Sequence, residues 1–291
     1  MRRNTCIFAV IVTLTCVAHP QVSWAQTEFG SGHFTTSDGV ELHYLEAGAG
    51  STIVFVPGWT MPAWIWEHQI RHFAEDHRVI AFDPRGQGAS EKPPFGYDHA
   101  RRARDIGELL AHLDTEPVVL VGWSLGVLEV MKYLEEHGTD AIRAAVLVDW
   151  EMYYEDPAVF SDRYVRLQTD REEWTRNFIR VIFHSEQSES YLEKVTQAAL
   201  ATPTNAAAIM IGNIVLQGQT DLRPFVDVFD RPALFVYSSL DWSIAAAEKV
   251  RRGWPRFQVE VIDETSHTLF VDRPDEFNQV LEAFLGRLPE H

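Results

Sequence analysis

The sequence contains two cysteines, Cys6 and Cys16, both within the first 25 of its 291 residues. Once that stretch is removed, disulfides, thiolate nucleophiles and cysteine-ligated metals are all excluded. Long apolar runs are missing too. The run over residues 6–18 covers about 13 positions, short of the ~20 needed to span a bilayer. Basic charge is scarce: 25 Lys and Arg stand against 42 Asp and Glu, a formal charge of −17. That balance disfavours nucleic acid and anionic membranes as partners, but not apolar or neutral small molecules. The glycine-rich stretch DPRGQGAS at 83–90 lacks the lysine of a P-loop, and its spacing is not G-x-G-x-x-G, so it does not read as a phosphate cradle.

The N-terminus has a different logic. Arg2 and Arg3 precede the apolar run, and Ser23-Trp24-Ala25 puts small residues at minus three and minus one, the pattern of a secretory signal cleaved before Gln26. Its removal deletes two arginines and no acid, taking the formal charge to −19. The expected product is exported, periplasmic or secreted, and needs no oxidative folding.

Downstream, short apolar runs alternate with helix-period segments. Strands are predicted over 33–36, 40–46, 52–56, 78–82, 118–121, 144–148, 233–237 and 257–262, and helices over 63–74, 99–113, 244–252 and 274–288. Near-continuous apolar strands separated by helices predict an α/β fold with a mostly parallel central sheet and helices on both faces. The alternation fails between 150 and 230, where aromatics recur instead. This stretch is too long for a bare connection and reads as a helical cap inserted after the sixth strand. The expected organisation is a signal at 1–25, a core over 26–149 and 231–291, and a cap over 150–230. The arginines of the 99–113 helix read as a solvated face, and Asp83 and Arg85 as a pair bonded to each other.

Residues 117–138, PVVLVGWSLGVLEVMKYLEEHG, carry the chemistry. A buried strand crosses Gly122-Trp123-Ser124-Leu125-Gly126 and becomes a helix. Flanking glycines let strand and helix approach while the serine is held in a strained turn with its hydroxyl projecting over the sheet edge. A serine hydroxyl needs a base to take its proton, and an imidazole base needs an acid to hold its tautomer. His267 follows the last predicted strand. Asp241 follows the strand before it, and Asp149 and Glu151 follow the sixth.

VPGW at 56–59, DPRGQGAS at 83–90, GWSLG at 122–126, LDW at 240–242 and SHTLFVDRP at 266–274 occur in an order that resembles the α/β-hydrolase family, in particular its capped branch of esterases, lactonases and cofactor-free haloperoxidases. The resemblance runs from about residue 32 to the C-terminus. It implies Ser124 as nucleophile, His267 as base and Asp241 as acid, with Asp149 or Glu151 as the alternative acid. It also implies backbone N–H groups of Trp59 and Leu125 as an oxyanion hole. Pro57 departs from the family's histidine, which puts the support of that loop in question. A serine rather than an aspartate nucleophile points away from dehalogenase and epoxide hydrolase chemistry and toward acyl transfer. The implied enzyme cleaves small apolar or aromatic esters or lactones without cofactor or metal. Peroxide-dependent perhydrolysis, carbon-carbon bond hydrolysis and a catalytically silent binding protein stand as alternatives.

Overall fold

The computed structural model describes residues 29–115, 117–154, 160–217 and 221–289. The expected signal at 1–25 lies outside them. Eight strands form one sheet in the order β1-β2-β4-β3-β5-β6-β7-β8. These are β1 (Gly30–Thr35), β2 (Glu41–Ala47), β3 (Thr52–Val56), β4 (Arg78–Asp83), β5 (Val118–Trp123), β6 (Ile142–Val148), β7 (Ala233–Tyr237) and β8 (Gln258–Val261). The hairpin of β1 and β2 pairs antiparallel and joins β4 antiparallel, and every later pairing is parallel.

The central strands are apolar throughout because both faces are covered. In β3, Val54 and Val56 enter one core while Ile53 and Phe55 enter the other; β5 divides Val118 and Leu120 from Val119 and Val121 in the same way. Successive side chains of a strand point to opposite faces, so an unbroken apolar run is the pattern that supplies two cores at once. The chain leaves β3 for β4 on one side and returns to β5 on the other. That reversal opens a crevice at the carboxyl ends of β3 and β5, where ligands bind in open α/β sheets.

The helices of the core are α1 (Glu67–Phe73), preceded by a 3-10 turn over Ala63–Trp66, then α2 (His99–Leu113) and α3 (Leu125–His137). Between β6 and β7 lie α4 (Ser161–Thr169), α5 (Arg171–Val181), α6 (Glu189–Ala201), α7 (Thr204–Gln217) and α8 (Arg223–Val228). The insertion is thus helical, as its broken alternation implied. The chain closes through α9 (Asp241–Gly253), the short α10 (Leu269–Asp272) and α11 (Pro274–Leu285). Among the described residues no single helix is long and apolar enough to cross a membrane.

Two expectations about charge are overturned. Asp83 and Arg85 do not bond each other: Asp83 pairs with His43 Nδ1 at 2.7 Å, while Arg85 binds Asp105 at 2.6 and 2.7 Å and Asp38 at 3.0 and 3.1 Å. Nor is α2 an arginine-coated solvent face. Arg101 and Arg102 are buried, Arg101 on Asp105 and Glu108 and Arg102 on Glu129 of α3. Asp105 and Glu108 lie on α2 itself, but the acid that holds Arg102 comes from α3, so the periodicity of α2 alone cannot reveal the burial.

His99, the first residue of α2, is 1% exposed. Burial pushes its imidazole down to about 3, and the charge of Arg102 acts in the same direction. The unfolded chain therefore binds a proton near pH 6.5 that the folded chain refuses, so stability is lost as pH falls from about 6.5 toward 3, by ~1.4 kcal/mol per unit. Between pH 7 and 4.5, His99→Leu should lose roughly 3 kcal/mol less unfolding free energy than the wild type. Denaturant titrations at the two pH values measure this, and equal losses in both proteins would remove His99 from the acid limb.

Candidate active site

The chain passes from β5 into α3 within one residue. Ser124 makes the turn at φ 54° and ψ −123°, a left-handed conformation that costs an L-residue about 1–3 kcal/mol. Close packing enforces it: a Cβ at Gly126 would stand 2.6 Å from the Val56 carbonyl oxygen. The start of α3 can lie against β3 only because that position is glycine.

His267, in the loop between β8 and α10, lies with Nε2 2.7 Å from Ser124 Oγ and Nδ1 2.7 Å from Asp149 Oδ2. A carboxylate only accepts, so the fitting tautomer carries its proton on Nδ1 and leaves Nε2 to accept from the serine hydroxyl. Asp149 directly follows β6, has φ 53° and is fully buried. Its second oxygen accepts from Ser238 N at 2.9 Å and from Ser243 Oγ. With both oxygens engaged, the carboxylate cannot rotate away from the imidazole.

This corrects the expectation for Asp241. That residue heads α9 with its side chain exposed. The segment after β7 instead supplies Ser238 and Ser243, which hold the carboxylate of the neighbouring strand. Glu151, the other alternative, is 3.4 Å from Lys249 Nζ rather than on the histidine.

The loop after β3 lies against the serine. A Cβ at Gly58 would be 3.1 Å from Ser124 Cβ and 3.1 Å from the Trp123 ring, tighter than an ordinary contact, so a larger residue would press on both. Pro57 does not leave the loop unsupported. Gln87 Nε2 donates to the Gly58 and Met61 carbonyls at 3.0 and 2.8 Å, and Asp83 Oδ1 accepts from Ala63 N at 2.5 Å. Gln87 is in turn held by Arg102 at 2.9 Å. The DPRGQGAS stretch thus braces the loop that carries Trp59. Leu125 is the first residue of α3, where a backbone N–H has no acceptor within the helix.

The loop of His267 is tied on both sides to the helical insertion. Ser266 Oγ donates to Val181 O at 2.9 Å, and Thr268 donates to Ile182 O through N at 3.0 Å and Oγ1 at 2.7 Å. Asp272 Oδ1 accepts from His184 N and Ser185 N at 2.9 and 2.8 Å, and its Oδ2 from Ser266 N at 2.9 Å. Beneath the site, Trp123 Nε1 donates to the His267 carbonyl at 2.7 Å.

Ser124 and His267 open into a cavity of about 480 Å³ whose wall includes Trp150, Tyr154, Phe160, Phe178 and Trp242 together with Val181, Ile182 and Leu240. The aromatic stretch of the insertion therefore does face the serine in part. Two charged side chains also line this space, Glu151 and Arg163. Arg163 was not singled out from the sequence. Nothing in its spacing separates it from Arg166 on the same helix, which pairs with Asp162 at 3.1 Å.

Residues 53–280 match the model of the alpha/beta hydrolase family. The chain is 29% identical over 271 residues to a non-heme chloroperoxidase of Kitasatospora aureofaciens, covering 87% of this chain and 98% of that one. It is 23% identical to a pimeloyl-[acyl-carrier protein] methyl ester esterase of Vibrio vulnificus, over 85% of this chain and 99% of the relative. Among solved structures it is similar to a bromoperoxidase from Bacillus anthracis, with a TM-score of 0.80, 25% identity, and coverage of 88% of this chain and 100% of that chain.

Proposed function

Because the chain belongs to the alpha/beta hydrolase family, we propose that it is a serine hydrolase cleaving small carboxylic esters or lactones with apolar or aromatic groups. The observation that carries this is the unbroken hydrogen-bonded series from Ser124 Oγ through His267 to Asp149 at the mouth of the cavity. In this reading Ser124 is the nucleophile, His267 the base and Asp149 the acid.

Ser124 Oγ attacks the carbonyl carbon as its proton passes to His267 Nε2, and the resulting imidazolium is stabilised by Asp149 through Nδ1. The carbonyl oxygen, now negative, is received by the N–H of Leu125 at the helix start and the N–H of Trp59 on the braced loop. Collapse breaks the ester C–O bond, His267 returns the proton to the leaving alcohol, and an acyl-Ser124 ester remains. Water then repeats the sequence and frees the acid. The cavity size suits a small-molecule ester, and its rings favour apolar bodies.

A second reading is favoured by the chloroperoxidase and bromoperoxidase names of the relatives. Hydrogen peroxide replacing water at the acyl-enzyme would give a peracid and free Ser124, with the same residues in the same roles. One experiment tests the shared mechanism. A fluorophosphonate should label the protein once, at Ser124, and abolish turnover of 4-nitrophenyl acetate and butyrate. A folded protein that resists the probe and turns over none of a panel of short, long, aromatic and cyclic esters would end the proposal. Peracid formed from acetate and peroxide at a rate rivalling hydrolysis would select the second reading.

A further inference from the structure

Arg163 stands in the wall of the cavity that holds Ser124 and His267. Its guanidinium carbon lies 5.7, 5.5, 5.4 and 5.1 Å from the ring centroids of Trp59, Phe160, Trp174 and Phe178. Every other arginine of α4 and α5 is bonded to oxygen: Arg166 to Asp162, Arg171 to backbone carbonyls and Thr204, Arg176 to Glu172 and Glu193, and Arg180 to Glu189. Among the described residues Arg163 has no carboxylate within 4.0 Å and no hydrogen-bond acceptor. The other charge on the cavity wall, Glu151, already faces Lys249. Arg163 is half-buried, and its partial desolvation holds the guanidinium down at about 10.

Rings attract a cation through their faces but offer no oxygen to its five N–H donors. A guanidinium partly desolvated among rings gains when an anion completes it, and a carboxylate matches its planar fork with two parallel hydrogen bonds. A dianionic phosphate fits less well, since one guanidinium would leave a second negative charge unpaired among rings. We infer that Arg163 is the receptor for a carboxylate on the substrate, so that the preferred ester or lactone carries a free carboxyl group apart from the bond that is cleaved. This rests on the ester-hydrolase reading of the same cavity and narrows it: the body of the substrate is apolar, and one end is anionic.

Two matched substrate pairs test it. One compares the mono-4-nitrophenyl ester of suberic acid with 4-nitrophenyl octanoate, placing the charge on the acyl side. The other compares 4-acetoxybenzoate with phenyl acetate, placing it on the alcohol side. In at least one pair the wild type should favour the charged member in kcat/KM, and Arg163→Met should lower the charged-to-neutral ratio about tenfold or more, with Arg163→Lys in between. Benzoate binding, followed by intrinsic tryptophan fluorescence with benzyl alcohol as the neutral control, reads the same receptor without turnover. It should weaken about tenfold in Arg163→Met. Preference for the neutral member of both pairs, or a ratio and a benzoate affinity unmoved in a folded Arg163→Met protein, overturns the inference. Should Arg163→Met fail to fold, the wild-type preference in the two pairs decides. Failure of the hydrolase reading looks different: no ester is turned over and Ser124 resists the fluorophosphonate, while benzoate still reports on Arg163.

Discussion

Replacing Ser124 by alanine is expected to lower kcat for ester hydrolysis by a factor on the order of 10⁵ to 10⁶, leaving only the residual rate that substrate binding and the oxyanion donors provide. The proposed mechanism makes the loss that large because there the hydroxyl oxygen is the atom that bonds to the carbonyl carbon. His267 would keep its hydrogen bond to Asp149 but face a methyl group. The fold should persist, since the change deletes one oxygen at the cavity mouth and leaves the two cores of the sheet untouched. Circular dichroism and thermal melting establish that the variant is folded. Titration with the fluorophosphonate should then show no label. Turnover within tenfold of the wild type by such a protein would remove Ser124 from the mechanism.

Asp149→Asn should cost about 10⁴ in kcat, whereas Asp241→Asn should change it by less than about twofold. The large value follows from which oxygen is already claimed. Ser238 N and Ser243 Oγ both donate to Oδ1 of Asp149, so an asparagine would turn its one carbonyl oxygen toward them. Its NH₂ group then faces His267 Nδ1, forcing the ring proton onto Nε2. A ring protonated there cannot accept from Ser124. Ser243→Ala, combined with Asp149→Asn, frees one of the two donors and should recover part of the loss. Stopped-flow measurement of acylation on the three variants checks the chain of reasoning. A large effect at Asp241 and none at Asp149 would restore the acid to the segment after β7.

That difference between two aspartates also marks where the sequence stops being informative. The central strands β3 to β7 were legible because both-face burial imposes nearly unbroken apolar runs, and the 150–230 stretch stood out because it breaks the alternation of strand and helix. Ser124 was legible because so tight a strand-to-helix turn requires small neighbours. The acid was not. Asp149 and Asp241 each follow a parallel strand, and those two strands are adjacent in the sheet. Sequence position therefore places both at one edge. What separates them is direction: positive φ turns Asp149 inward, while Asp241 begins a helix and meets solvent. The same limit applies to Arg102, which meets Glu129 of α3, and to Arg163, which meets Trp59 of the loop after β3. Asp83 illustrates it once more, since its partners His43, Ala63 and Ala89 come from three separate segments.

The bonds from Ser266, Thr268 and Asp272 to residues 181–185 have a consequence for how such a protein can diversify. A lid that merely rested on the sheet could be exchanged between relatives as a cassette, with new specificity and unaltered chemistry. Here the end of α5 is part of the mounting of the imidazole. A graft replacing residues 150–230 wholesale would therefore remove the acceptors at Val181 and Ile182 that flank His267, and would change selectivity and reactivity together. Exchanges confined to α4, or to α6 and α7, leave that mounting whole. Lineages that reshape the cavity while keeping the nucleophile competent are thus steered toward substitutions in those helices, or toward paired changes at 181–185 and 266–272.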